Sequence, residues 1–401
     1  MKNKIKVLAA CLALGCLVLS GCGEDTTPDP KQGGKAAAYE SHLKEITPAA
    51  YGNVQGLKLP KKSEITIIGK DNKSLFWKTV QAGANQAVKD LNKNLGYKGK
   101  NQIQLNYCGM VDGEDVEEQV NILDEEMARY PEALGISLTD EKACLTQFDL
   151  AAENDLPIVA VESGAEYPGI VATVGTDNVS AGREAARTMA DATGEKGQIL
   201  IFMEDGRSLA TLNKEAGIRE ALESYYPEMA IADTFHPDEL LERSQEEASK
   251  DDAEETDTKE ADTEKTPIEE TKDDQPEEEV PDLTQEEMLT RIIKENPDAA
   301  GIITSGEQIT AQVLDILKAT HGTQKVVAFD WSKKTKTAIQ KNHMAASIVQ
   351  NPFGMGYASV VACVRAAEKS PNEARVNTGY TVVTKSNMSQ KGIKNDLYKT
   401  E

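Results

Sequence analysis

Residues 156–189, LPIVAVESGAEYPGIVATVGTDNVSAGREAARTM, decide how this 401-residue chain is read. The run 157–161 is apolar without alternation, which is the pattern of a parallel strand buried on both faces. A polar, glycine-containing loop follows at 162–169, at the strand's carboxyl end. In open α/β sheets that edge holds the ligands. A second short strand, 170–174, runs into Gly175-Thr176-Asp177-Asn178, residue types that turn the chain and cap a helix beginning near Val179. One stretch therefore holds a candidate ligand loop, a crossing between two α/β units, and the start of the second unit. It predicts a binding site between two lobes.

Working outward, strands and helices alternate on both sides. Strands are expected at 65–69, 102–107 and 133–138, with helices at 75–94, 115–129 and 141–154. Beyond the crossing come a helix at 179–192, a strand at 198–203, a helix at 212–226 and a strand at 229–234. The alternation resumes with helices at 285–295, 308–319, 334–341 and 355–369, interleaved with strands at 300–304, 325–330, 345–350 and 380–384. Such a pattern implies parallel sheets covered by helices on both faces, and the length exceeds one ordinary core. The fold class is α/β: two Rossmann-like lobes with parallel sheets, joined by a multi-strand hinge. The N-terminal lobe is assigned to 63–175 plus 351–379, and the C-terminal lobe to 176–350 plus 380–387.

The net charge of −23 is concentrated in one place. Residues 238–287 hold 23 Asp/Glu against 5 Lys/Arg, so −18 of that charge lies there. Within this segment, 240–282 has almost no large apolar residue to offset ordering entropy, and it reads as a disordered acidic insertion in the C-terminal lobe. The rest of the chain is only mildly acidic and offers no basic stripe for phosphates, which excludes nucleic acid as a partner.

At the N-terminus, Lys2, Lys4 and Lys6 precede an apolar run over 7–19 that is too short to span a bilayer. Leu19-Ser20-Gly21-Cys22 follows, and this resembles the bacterial lipobox. Residues 1–22 are therefore expected to be a lipoprotein signal peptide with Cys22 as the lipidated residue, and 23–62 a flexible tether. Cys108, Cys144 and Cys363 remain, an odd number without metal-ligand spacing, and no metal or cofactor is implied.

Polar and aromatic residues cluster at the strand ends. Asp71, Ser74, Phe76 and Trp77 follow the first strand, and Glu162 and Ser163 follow the fourth. Ser305 follows 300–304, Asp330 closes 325–330 with Trp331 beside it, and Gln350 closes 345–350; Lys214 lies on a second-lobe helix. Carboxylates and amides pair with hydroxyls while aromatic faces cover C–H surfaces, which suits a polyhydroxylated ligand. Two adjacent aromatics, Phe76 and Trp77, cannot both face inward from a helix, so at least one is expected to face the cleft. Asp330 also reads as a helix N-cap, and Gln350 as a partner for hinge backbone groups.

At these residues the sequence resembles the periplasmic sugar-binding proteins of the ribose-binding type, the type I solute-binding proteins. Phe76-Trp77 with Gly83-Ala84, the strand 158–161, Val174 to Asn178, the strand 326–330 with its terminal Asp, and Gln350-Asn351-Pro352 follow that family's order. The family's Asp-Arg after the fourth strand is Glu162-Ser163 here, its second-lobe Arg falls nearest Lys214, its first-loop Asn is Ser74, and its Asn after Thr304 is Ser305.

The resemblance implies a lipid-anchored, extracytoplasmic, monomeric receptor. It captures a sugar or similar small molecule by hinge closure and delivers it to an ABC transporter permease. The alternative is a receptor read by a membrane sensor kinase or chemoreceptor. No nucleophile–base constellation and no GxGxxG or GxxxxGK[ST] motif points to an enzyme.

Overall fold

The computed structural model describes residues 39–240, 243–244 and 283–397. The expected signal peptide with Cys22, the first part of the expected tether (23–38) and nearly all of the acidic insertion lie outside the described residues.

In chain order the first half comprises α1 (Glu40–Lys44), β1 (Glu64–Gly69), α2 (Leu75–Leu95), β2 (Gln104–Gly109), α3 (Val116–Met127), β3 (Ala133–Ile136), α4 (Leu145–Glu153), β4 (Ile158–Val161) and β5 (Ile170–Gly175). Next come α5 (Asn178–Thr193), β6 (Gly197–Phe202), α6 (Leu209–Tyr225) and β7 (Met229–Phe235). After the acidic segment follow α7 (Gln285–Glu295), β8 (Gly301–Thr304), α8 (Glu307–Thr320), β9 (Lys325–Phe329), α9 (Lys333–Gln340) and β10 (Ala346–Gln350). The chain then forms α10 (Pro352–Ala367), β11 (Arg375–Asn377), β12 (Tyr380–Thr384) and α11 (Lys391–Asp396).

Two six-stranded sheets result, in the orders β2-β1-β3-β4-β5-β11 and β7-β6-β8-β9-β10-β12. The first is parallel throughout. In the second only β12 departs, pairing antiparallel with β10. The parallel sheets expected from the sequence are present, and β12 is an antiparallel edge strand on the second. A parallel strand needs a long crossover to return to the same end of its sheet, whereas β12 is entered from the other lobe through two residues after β11. The second strand lies at 104–109 rather than 102–107, and the three-residue β11 has a single buried apolar residue, Val376, too little for any periodic signal. The chain passes between the sheets three times, after β5, after β10 and after β11, and this forms the hinge.

Each lobe holds one helix pair packed closely through glycine. A Cβ on Gly83 would strike the Phe353 carbonyl of α10, and one on Gly356 the Val80 carbonyl of α2. In the second lobe a Cβ on Gly182 would strike the Lys214 carbonyl, and one on Gly217 the Val179 carbonyl. Backbone therefore meets backbone between α5 and α6, and that contact fixes the height of Lys214 above the second sheet.

Residues 39–62 are not a tether. Ile46 and Tyr51 are each 1% exposed, and Val54, Leu57 and Leu59 are buried with them against the N-terminal lobe. The segment is also tied to the hinge. Thr47 and Asn377 exchange backbone hydrogen bonds of 2.8 and 2.9 Å, and Asn351 Nδ2 donates to the carbonyls of His42 (2.8 Å) and Thr378 (3.0 Å). The sequence concealed this because five apolar residues at irregular spacing satisfy neither helical nor strand periodicity, yet a groove between α2 and α10 buries them equally well. Tyr51→Ala should cost about 3 kcal/mol or more, the usual range for a large buried aromatic. The hydroxyl's bonds to Asn372 and Glu373 are lost as well. Thermal denaturation should show Tm falling by roughly 5–10 °C. An unchanged Tm would return this segment to the status of a linker.

The ends flanking the acidic insertion are ordered. Arg243 pairs with Asp233 and Glu239 and lies over the Phe235 ring at 5.5 Å. On the far side, Thr284 and Glu287 form a capping box at the start of α7.

Candidate functional site

The carboxyl ends of both sheets face each other, and the site grows from two matching positions. Glu162 ends β4 of the first lobe and Asp330 ends β9 of the second. Both adopt left-handed backbone, with φ of 64° and 67°. Each donates its backbone N–H to the strand beyond, Glu162 to Val174 (2.8 Å) and Asp330 to Ile348 (3.0 Å). A non-glycine residue in this region costs on the order of 1–3 kcal/mol, and such strain collects at functional sites. Here it turns two carboxylates out of their strands into the space between the lobes. Gln350, 2% exposed, donates through Nε2 to Asp330 Oδ1 at 3.0 Å, while its Oε1 is buried without a hydrogen-bond partner.

Lys214 stands between these groups, 2% exposed, on the inner face of α6. Its ammonium donates to the Ser305 carbonyl at 3.2 Å and lies 5.2 Å from the centre of the Phe329 ring. Burial alone would depress this lysine, but Glu162, Asp330, Glu204 and Asp205 outweigh it and hold the group above its ordinary value. Burial pushes the Glu162 carboxyl up, with Lys214 and Lys70 opposing. Glu204 is pushed up to about 7 for the same reason. Glu307, at the start of α8, is likewise raised by burial and by the nearby charges of Asp330 and Asp71.

The lobes touch across the cleft. Lys70, directly after β1, pairs at 2.8 Å with Glu114 of its own lobe and at 2.8 Å with the fully buried Asp205 of the other. Asp205 also accepts from Ser208 N (2.7 Å) and Ser208 Oγ (2.9 Å). Burial would raise its carboxyl, but Lys70 and these donors bring it well below the usual carboxylate range. Arg207 reaches Glu114 at 3.5 Å, and the Ala210 N–H donates to Ser163 Oγ at 3.3 Å. Removing one partner of a buried pair strands the other charge, at about 3–5 kcal/mol in full burial, and Lys70 is partly exposed. Lys70→Met should therefore let the lobes part in unliganded protein, read as a larger radius of gyration in X-ray scattering. No change in radius would mean that this pair does not hold the lobes together.

The structure distributes the ten expected site residues unevenly. Glu162, Lys214, Asp330 and Gln350 converge. Ser305 joins them as scaffold, its hydroxyl accepting from Glu204 N at 2.7 Å and its carbonyl from Lys214. Ser163 lies at the contact between lobes. Asp71 and Ser74 are occupied locally: Asp71 Oδ1 accepts from Lys73 N and Ser74 N at 2.7 and 2.6 Å, and Ser74 Oγ caps α2 through Trp77 N.

Phe76 and Trp77, 9% and 5% exposed, pack edge to face at 5.3 Å, and both are buried. Burial of both is compatible with at least one of them facing the cleft, because the start of α2 lies between the lobes. Its outward side is covered by apolar residues of the second lobe, in the same cluster. Glu114, Glu204, Asp205 and Arg207 were not among the residues expected at the cleft. Glu204-Asp205 had a usable signal, since two carboxylates directly follow a buried strand.

Among the described residues no helix is long and apolar enough to cross a membrane. The sequence profile of the "Periplasmic binding protein domain" family matches residues 65–264 and 258–371. No curated protein matches the sequence. Among solved structures, the chain resembles a carbohydrate transporter solute-binding protein from Agrobacterium radiobacter in complex with D-arabinose. That match has 25% identity, covers 84% of this chain and 99% of that one, and has a TM-score of 0.65. An ABC transporter solute-binding protein from Agrobacterium vitis bound with α-D-tagatopyranose matches at 20% identity, 84% and 100% coverage and a TM-score of 0.67. The XylFII–LytSN complex matches at 20% identity, 82% and 99% coverage and a TM-score of 0.60. Two α/β lobes of matching strand order, a triple-crossing hinge and a profile covering most of the chain make this protein a member of the periplasmic binding protein family with the type I fold.

Proposed function

We propose that this protein is an extracytoplasmic receptor that captures a sugar or closely similar polyhydroxylated molecule between its lobes and hands it to an ABC importer. The observation that carries the reading is the convergence of Glu162 from one lobe with Asp330 and Gln350 from the other around Lys214. Groups from both lobes then contact one guest, and a ligand that bridges them favours the closed arrangement by its difference in affinity for the two states. The solved relatives bound to D-arabinose and tagatopyranose support this ligand class. The set holds polar groups for orientation and no nucleophile with its base, in keeping with binding rather than catalysis.

Cys22 is proposed as the lipidated residue that holds the receptor at the membrane, with the protein working as a monomer. The test is a thermal-shift and calorimetric titration of the purified protein against pentoses, hexoses, disaccharides and nucleosides. Silence towards all of them would end the sugar reading.

A second reading, in which the closed form is read by a membrane sensor kinase, is favoured by the likeness to XylFII in its complex with LytSN. Neighbouring genes for a permease and ATPase, as against a kinase, separate the two.

A further inference from the structure

The charge balance of the cleft narrows the class of guest, on the reading that the cleft is the ligand site. Seven carboxylates meet there: Asp71, Glu114 and Glu162 from the first lobe, and Glu204, Asp205, Glu307 and Asp330 from the second. Three cations oppose them, Lys70, Arg207 and Lys214. Lys70 is spent on Glu114 and Asp205, and Arg207 on Glu114 and Asp238. Lys214 is thus the cation that faces Glu162, Glu204 and Asp330 directly, with Lys70 adding to it at Glu162 and Glu204 while paired elsewhere.

Two further observations concern hydrogen bonding and space. The buried Gln350 Oε1, on the amide that already donates to Asp330, is an acceptor without a donor. Gly306, in extended backbone before α8, leaves room for the Glu204 carboxylate, which a Cβ at that position would overlap. Among the described residues, acceptors at the centre of the cleft therefore outnumber donors and positive charges, with Ser137 Oγ reaching Glu162 only at 3.5 Å. A neutral hydroxyl brings one donor and no charge. An ammonium brings three donors and the missing charge. A uronate or phosphorylated sugar would add to the excess of carboxylates.

We propose that the guest of this cleft is an amino sugar or equivalent amino polyol, its ammonium seated among Glu162, Glu204, Asp330 and the Gln350 amide oxygen. The elevated position of Glu204, about 7, fits this arrangement: the carboxyl is partly protonated at neutral pH, and an arriving cation drives its proton off.

The experiment is calorimetric titration of the purified protein at pH 7 with three matched sets: D-glucose, D-glucosamine and D-glucuronate, the corresponding galacto compounds, and the corresponding manno compounds. Each runs in two buffers of different ionisation enthalpy. In at least one set the amino sugar should bind 10-fold or more tightly than its neutral parent, with net proton release, and the uronate should not bind. In the Glu204→Gln variant the ratio of amino-sugar to neutral-sugar affinity should shrink and the proton release disappear. Neutral or acidic members binding as tightly as the amino sugars overturn this inference and leave the sugar receptor standing. If no member of the matched sets or of the wider sugar panel binds, the sugar receptor itself is overturned.

Discussion

Lys214→Met should be the most damaging single substitution for stability. The side chain is 2% exposed and its charge serves Glu162, Glu204 and Asp330 at once. Methionine fills nearly the same volume, so the loss isolates the charge rather than a cavity. Breaking a buried ionic cluster by removing one partner costs about 3–5 kcal/mol. The loss should also depend on pH, with a sign that can be worked out. Without the ammonium, the carboxyls of Glu162 and Glu204, already raised by burial, rise further above their unfolded values near 4. Between that pH and their raised folded values the folded state binds more protons than the unfolded one, so stability falls as pH rises. Chemical denaturation should therefore show a small deficit near pH 5 and a large one near pH 8. A deficit equal at both would mean that packing, not charge, is what Lys214 supplies.

Asp330→Ala should have the largest effect on binding. Asp330 presents its carboxylate from left-handed backbone, orients Gln350 and lies where the two lobes meet. Truncating such a buried, central contact weakens affinity by about 2 kcal/mol or more, roughly 30-fold. Alanine also tolerates φ near +67° poorly, so part of its effect will be on stability. Asparagine adopts that region readily, keeps the shape and removes only the charge. Affinity for whichever sugar of the panel binds should fall most in the alanine variant and substantially in Asp330→Asn, while the Tm of the asparagine variant stays near that of the parent. Unchanged affinity in both variants would remove Asp330 from the site.

Much of the architecture was legible in the residues because the central strands are buried on both faces. In Ile158–Val161 and Gly301–Thr304 every residue is buried, and such strands stand out as unbroken apolar runs between amphipathic helices. The crossing at Gly175 was legible through turn and capping types, and Asp177 does cap α5 by accepting from Ser180 N at 3.0 Å. Of the candidate site, Glu162, Asp330 and Gln350 were named from the sequence because they end strands, and a strand's carboxyl end faces the cleft whatever the details of packing. Ser74 and Asp71 were also placed at the right edge, but there the local backbone claims their oxygens, a competition that sequence does not display.

What the chain by itself determined is the alternation of strand and helix, the two-lobed plan and the sheet edge that carries the candidate site. These follow from local periodicity and from the burial of the central strands on both faces. What only the tertiary structure decided is which charges meet: Lys70 with Asp205 across 135 positions, Lys214 among carboxylates of both lobes, and residues 39–62 fastened to the hinge. Those encounters depend on distances set by the packing of whole lobes, and electrostatic energy depends on distance in space rather than on separation along the chain.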